Sequence, residues 1–124
     1  MPSRFYKILI LILIAALTAS CGALKSGHNE SELKARENIL KDDLFQMRKM
    51  IDQYAADRGK LPQSLDDLVK AGSLRQIPED PITERPDWKL DTGEDAGAKG
   101  KVGLINIHSS STEKSVEGKP YNEW

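Results

Sequence analysis

The feature that most constrains the fold is a long amphipathic segment, residues 29–59. Its apolar residues recur at steps of three, four or seven, so they share one narrow stripe of a helix, with charged residues opposite. The stripe contains Leu33, Leu40, Leu44, Met47, Ile51 and Tyr54. Asn29 and Glu32 resemble a capping box, and Gly59 is typical of a helix end. Such a helix is about 40 Å long, so we expect part of its surface to serve contacts outside the domain core.

The amino terminus has the layout of a secretory signal peptide. Arg4 and Lys7 precede an apolar run over residues 8–17, and small residues follow at 18–20. Cleavage of residues 1–20 is the expected outcome, and a retained anchor is the open alternative. Residues 18–22 resemble the bacterial lipobox, in which the cysteine receives diacylglycerol and becomes the new amino terminus. The resemblance implies a lipidated Cys21, a tether over residues 21–28 and a folded domain over residues 29–124.

A short second helix and a stiff connection are predicted after the long helix. Ser64 is a suitable N-cap, acidic residues occupy the first turn at positions 66 and 67, and Gly72 ends the helix. Residues 74–82 contain two prolines and form an extended connection. We expect its apolar side chains to be buried; they are Leu74, Ile77 and Ile82.

Two strands are predicted in the remaining sequence. Residues 102–108 are rich in β-branched side chains, and residues 87–90 alternate polar and apolar side chains. The glycine-rich residues 91–101 between them predict a long hairpin loop, in which we expect the acidic Asp91, Glu94 and Asp95 to be solvated. A second polar loop, residues 109–120, leads to Trp124, which we expect to dock on the domain because a large aromatic ring is costly to leave in water.

Most of residues 35–124 resembles the major pseudopilin of type II secretion, the G protein, and the related type IV pilin-like proteins. The matching runs are residues 35–37, 43–45, 48–49, 51–54, 57–59, 61–62, 64–68 and 77–83, followed by 103–109 and 120–124. The resemblance implies a pilin-like α+β fold. In that fold a long amino-terminal amphipathic helix packs on a small antiparallel sheet, with a short second helix and long loops.

The amino terminus departs from that family. Pilins and pseudopilins carry a Gly-Phe-Thr-Leu-x-Glu cleavage site followed by about 20 apolar residues. Here no acidic residue precedes Glu30, and a lipid on Cys21 would replace the helical anchor. Whether the chain polymerises is therefore left open.

The resemblance predicts a structural or assembly component of a type II secretion or type IV pilus-like system. Its expected partners are other pseudopilins or secretion and pilus components, with homo-oligomers as a further alternative. The second hypothesis is a periplasmic lipoprotein that uses the domain as a binding module unrelated to secretion. The expected location is the bacterial cell envelope, facing the periplasm. The outer membrane is preferred over the inner one because Gly22 stands where an aspartate commonly signals inner-membrane retention.

The sequence predicts no enzyme, no nucleic-acid binding and no transition-metal site. The net charge is −1 without a basic patch, and His28 and His108 lack a spaced carboxylate partner. We also expect the serines at positions 109–111 to be solvated loop residues. The family resemblance implies calcium in the loop before the terminal aromatic residue, where Glu113 and Glu117 are the candidate ligands. A calcium site and a plain loop both remain open there, and no other cofactor is expected.

Phe45 is the candidate partner contact. By helical angle it lies about 100° from Leu44, away from the apolar stripe and among charged residues. Isolated apolar surface residues are common. An aromatic ring in a charged helix face is also typical of a protein–protein contact, because such rings supply much of the binding energy. The hypothesis is that Phe45 contacts another subunit or a secretion partner.

Overall fold

The structure, a computed structural model, describes the backbone of residues 3–124 and the side chains of residues 29–124. The chain has an α+β fold with helices α1 and α2, strands β1 and β2 and a final 3₁₀ turn. In chain order their bounds are Ser3–Arg58, Leu65–Lys70, Lys89–Glu94, Val102–His108 and Tyr121–Glu123. Two compact units are present, Met1–Lys34 and Ala35–Trp124. The predicted signal-peptide side chains and the Cys21 thiol lie outside the described residues.

Helix α1 ends where the sequence predicts, but it does not begin there. It ends at Arg58, and Gly59 follows with a positive φ of 67°, which glycine adopts without strain. Asn29 lies inside the helix, so the predicted capping box at this position is wrong. The backbone remains helical through the predicted tether because no proline interrupts residues 3–58.

Five of the six residues of the predicted apolar stripe belong to the core of the second unit, whereas Leu33 is only partly buried and lies in the first unit. Leu40, Leu44, Met47, Ile51 and Tyr54 are all buried, in one cluster with β2 residues. The β2 members are Leu104 and Ile107, and the cluster also contains Leu65, Leu68, Trp88 and Tyr121. The prediction that this stripe packs on a sheet containing residues 102–108 is therefore confirmed.

The sheet has two antiparallel strands. Strand β2 has the predicted bounds, whereas β1 begins at Lys89 and extends to Glu94, into the predicted hairpin loop. Pairing with β2 outweighs the low strand preference of Gly93, which lies opposite Gly103. A Cβ at Gly93 would lie 2.9 Å from the Ile105 side chain, so glycine suits this close approach. The pairing register shifts between Asp91 and Thr92, as at a β-bulge.

Helix α2 and the connection after it match the prediction with one exception. Ser64 occupies the N-cap with extended backbone geometry, but its hydroxyl makes no capping hydrogen bond. The Asp67 carboxylate instead accepts a hydrogen bond from the Gln63 N–H at 2.8 Å. The expected apolar residues of the connection pack against the core as partly buried side chains; they are Leu74, Ile77 and Ile82.

The carboxyl-terminal segment docks on the domain, as predicted for Trp124. The Trp124 side chain is partly buried against the core, and its ring packs edge-on against buried Tyr121 with centroids 5.2 Å apart. This contact stabilises the final residues of the chain. Across the described part of the chain, no helix combines the length and the apolar character needed to cross a membrane.

Candidate functional site

An open groove of about 580 Å³ runs beside the outer face of α1, and Phe45 lies on it. The Phe45 side chain is 63% exposed, so the ring does not belong to the core. The groove combines two aromatic rings, a leucine and several charged side chains. Its lining residues are Lys41, Leu44, Phe45, Arg48, Lys49, Asp52, Glu117, Lys119 and Trp124.

Trp124 contributes the second aromatic ring of the groove. The Lys41 ammonium lies 4.9 Å from the centre of its indole, within the range of a cation–π contact. Tyr121 packs edge-on against the same ring. The indole is therefore held in place before any partner binds.

Arg48 connects α1, β2 and the end of the chain. Its Nε donates to the Asn106 side-chain oxygen at 2.8 Å, and its Nη2 donates to the Ile107 carbonyl at 2.8 Å. Nη2 also donates to the Trp124 main-chain oxygen at 2.6 Å. These bonds fix the position of Trp124 relative to Phe45, which lies three residues before Arg48 on the same helix.

His108 has the carboxylate partner that its sequence neighbours do not reveal. Its Nε2 lies 2.7 Å from Asp91 Oδ2, and its Nδ1 faces the Trp124 main-chain oxygen. His108 thus has a carboxylate partner that sequence spacing did not show, and Asp91, predicted to be solvated, is 41% exposed but also contacts His108. The cause is strand register: Asp91 pairs with Asn106, and His108 is two residues further along β2 on the same sheet face.

Glu37 is a buried carboxylate on α1 that contacts the carboxyl-terminal segment. It is 5% exposed, and its Oε1 accepts hydrogen bonds from the Tyr121 hydroxyl and the Val116 N–H, both at 2.8 Å. Burial, together with Glu37, raises the pKa of Tyr121, so the phenol keeps its proton and donates to Glu37. Glu37 thus ties the carboxyl-terminal segment to α1.

Two other groups predicted to be solvated, Asp95 and Ser109, are buried. Asp95 is 6% exposed because its carboxylate accepts hydrogen bonds from the Leu61 N–H at 3.0 Å and the Gly97 N–H at 2.9 Å. Ser109 is fully buried and donates to the Asp80 carboxylate. Both predictions are wrong because the carboxylates satisfy donors from distant chain segments, whereas Glu94 is exposed as expected.

The two calcium candidates occupy different surroundings. Glu117 lines the groove, and Glu113 does not. Both are exposed, and the Glu113 carbonyl already accepts a hydrogen bond from the Tyr121 N–H. Within the described residues, no group of three or more histidine, cysteine or acidic side chains could hold a metal ion. Calcium binding at Glu113 and Glu117 stays a prediction.

Asp43, which directly precedes the groove residue Leu44 on α1, has a pKa that makes stability pH-dependent. Burial, with the negative charges of Asp42 and Asp80, raises the pKa of Asp43 above its ordinary value of 3.8. The folded state therefore retains a proton that the unfolded chain has lost, so stability falls as pH rises from about 3.8 through the folded pKa. Asp43→Asn should raise the unfolding midpoint modestly near neutral pH, with little change at about pH 3.

Thermal unfolding at both pH values checks this expectation. Asp52→Asn removes a carboxylate from the same helix at an exposed position and is the matched control. An equal gain from both substitutions, or a gain from Asp43→Asn that is the same at acidic and neutral pH, would contradict the assigned cause.

Two residues that hold the groove together are not among the sequence-predicted site residues. Glu37 lies on the apolar face of the helix, three residues before Leu40. An acid on that face is a sequence signal for a buried, hydrogen-bonded carboxylate. Arg48 flanks the stripe, but its partners are 58 or more residues away in sequence. No protein-family model, no curated protein and no solved structure matches the chain.

Proposed function

We propose that the chain is a pseudopilin-like structural or assembly component of a type II secretion or type IV pilus-like system. Its domain is pilin-like, and a lipidated Cys21 holds it in the cell envelope, facing the periplasm. Its work is protein–protein contact rather than catalysis. The partners are other pseudopilins or secretion and pilus components.

The observation that carries the proposal is the groove beside Phe45. The Phe45 ring is exposed on the helix that also supplies the core, and a second ring, Trp124, lines the same groove and is held there by the Arg48 hydrogen bond. Aromatic and arginine side chains in such settings dominate the energetics of protein interfaces. The order of long helix, short helix, hairpin and aromatic terminus further supports a pilin-like domain.

One observation favours a second function, a periplasmic lipoprotein whose domain binds a partner unrelated to secretion. The sequence before Glu30 contains no acidic residue, and the glutamate that follows the family's cleavage site therefore has no counterpart there. The groove is compatible with both functions because each requires a binding surface. Identification of the protein bound at Phe45 separates them.

Phe45→Ala should leave stability nearly unchanged and weaken partner association. The ring is mostly exposed, so its removal should change the free energy of unfolding by less than about 0.5 kcal/mol. Thermal unfolding measures the first effect, and co-purification with secretion or pilus components measures the second. Gln46→Ala, at the adjacent exposed position, is the control. Strong destabilisation by Phe45→Ala would show that Phe45 is a core residue.

The anchor is tested by the intact mass of membrane-extracted protein. We expect loss of residues 1–20 and addition of diacylglycerol at Cys21, since the basic start, apolar run and small residues form a lipoprotein-type signal. Cys21→Ser should abolish the added mass and release the domain from the membrane fraction. A full-length chain with a free thiol would rule out the lipid anchor.

A further inference from the structure

The charge of the groove differs from that of the whole chain. The chain has a net charge of −1, whereas four basic and two acidic side chains line the groove. The basic ones are Lys41, Arg48, Lys49 and Lys119, and the acidic ones are Asp52 and Glu117. Within the described part of the chain, neither Lys49 nor Lys119 forms an ion pair with a carboxylate. Their charges are available to a bound molecule.

The apolar part of the groove is built in advance. Trp124 is fixed by the Arg48 hydrogen bond and by its contact with Tyr121, and Phe45 stands on a continuous helix. A partner would therefore bury two rings without first ordering the segment that carries Trp124. Preorganisation of this kind favours binding because less conformational freedom is lost.

We infer that this groove binds an acidic segment of a partner protein, with an apolar side chain of that segment seated between Phe45 and Trp124. Carboxylates of the segment would pair with Lys49 and Lys119. The identity of the partner as a secretion or pilus component rests on the proposed function. The inference adds the chemistry of the partner segment.

A protein segment fits the groove better than an anionic membrane or a nucleic acid. Asp52 and Glu117 lie among the basic residues, so a surface of uniform negative charge would meet repulsion from these two acids alongside its attraction to the basic side chains. A peptide can place carboxylates near the lysines and neutral groups near the two acids. The concave shape likewise suits one inserted side chain.

Selection from a displayed library of random short peptides tests this inference. The target is the full chain in a non-ionic detergent, with Phe45→Ala protein used to remove peptides that bind elsewhere. We expect the retained peptides to share several acidic residues around a large apolar residue. Retention of no peptides, or of peptides without an acidic bias, would overturn the inference.

Charge reversal gives the quantitative test with the most strongly enriched peptide, labelled with fluorescein. Lys49→Glu and Phe45→Ala should each weaken its binding by about tenfold or more, as measured by fluorescence anisotropy. Lys101→Glu makes the same charge change at an exposed position outside the groove and should leave binding within about twofold. Equal weakening by the two lysine substitutions would overturn the assignment to the groove.

Two outcomes separate this inference from its alternatives. Groove-dependent binding to phosphatidylglycerol vesicles, without binding of any acidic peptide, would overturn the inference and show that the groove binds an anionic membrane instead of a protein segment. Peptide binding without secretion or pilus components in the co-purified material would sustain the groove inference and contradict the proposed function. The failures of the two proposals are thus distinguishable.

Discussion

Leu44→Ala should lower the free energy of unfolding by about 2–5 kcal/mol, a large fraction of the stability of a domain of this size. Leu44 is 3% exposed and belongs to the same buried cluster as Met47 and Ile107. Its truncation removes apolar contacts and leaves a cavity that the surrounding helix and sheet only partly fill. Chemical denaturation monitored by circular dichroism measures the loss.

The matched control is Gln46→Ala, two residues away on the same helix at an exposed position. It should change the free energy of unfolding by less than about 0.5 kcal/mol. Lys41 is a poorer control because its ammonium contacts the Trp124 ring. Equal effects of Leu44→Ala and Gln46→Ala would mean that the buried face of α1 is assigned wrongly.

Glu37→Leu should cost about 2–4 kcal/mol, because it leaves the Tyr121 hydroxyl and the Val116 N–H without their acceptor. The Tyr121 hydroxyl is buried, so water cannot readily replace the carboxylate. The same substitution also removes a carboxylate whose burial is itself costly, and this partly offsets the loss in the free energy of unfolding. Denaturant unfolding again provides the measurement.

Two variants identify the hydrogen bonds as the cause. Glu37→Gln retains a side-chain oxygen acceptor and should cost less than Glu37→Leu. Tyr121→Phe removes the donor, so the costs of Glu37→Leu and Tyr121→Phe should be less than additive when combined. Strict additivity, or an unchanged stability in Glu37→Leu, would contradict the proposed link between α1 and the carboxyl-terminal segment.

The core helix and β2 could be predicted because their evidence is local. Leu40 to Tyr54 repeats with helical spacing, and residues 102–108 carry β-branched side chains, so each pattern identifies its own element. Phe45 could be placed outside the core by the same helical angle. The extra length of β1 could not be predicted from local sequence, because residues 92–94 are held in a strand by their pairing with residues 102–104.

The interior of the groove could not be read from the sequence. Glu37, Arg48 and His108 obtain their partners from segments far along the chain, and only the tertiary fold brings these groups together. The burial of Asp95 has the same origin, since its carboxylate accepts the distant Leu61 N–H. Local composition predicts such acids to be solvated because it contains no information about those donors.

The proposed role is tested most directly by site-specific photocrosslinking in the native bacterium. A photoreactive phenylalanine analogue replaces Phe45 in the full chain, and mass spectrometry identifies the crosslinked proteins after membrane extraction. The same analogue at Lys101, exposed and outside the groove, is the control. We expect the Phe45 position, and not the Lys101 position, to crosslink a pseudopilin or another secretion or pilus component. Crosslinks from Phe45 only to envelope proteins outside such a system, or none above the Lys101 control, would contradict the proposed function.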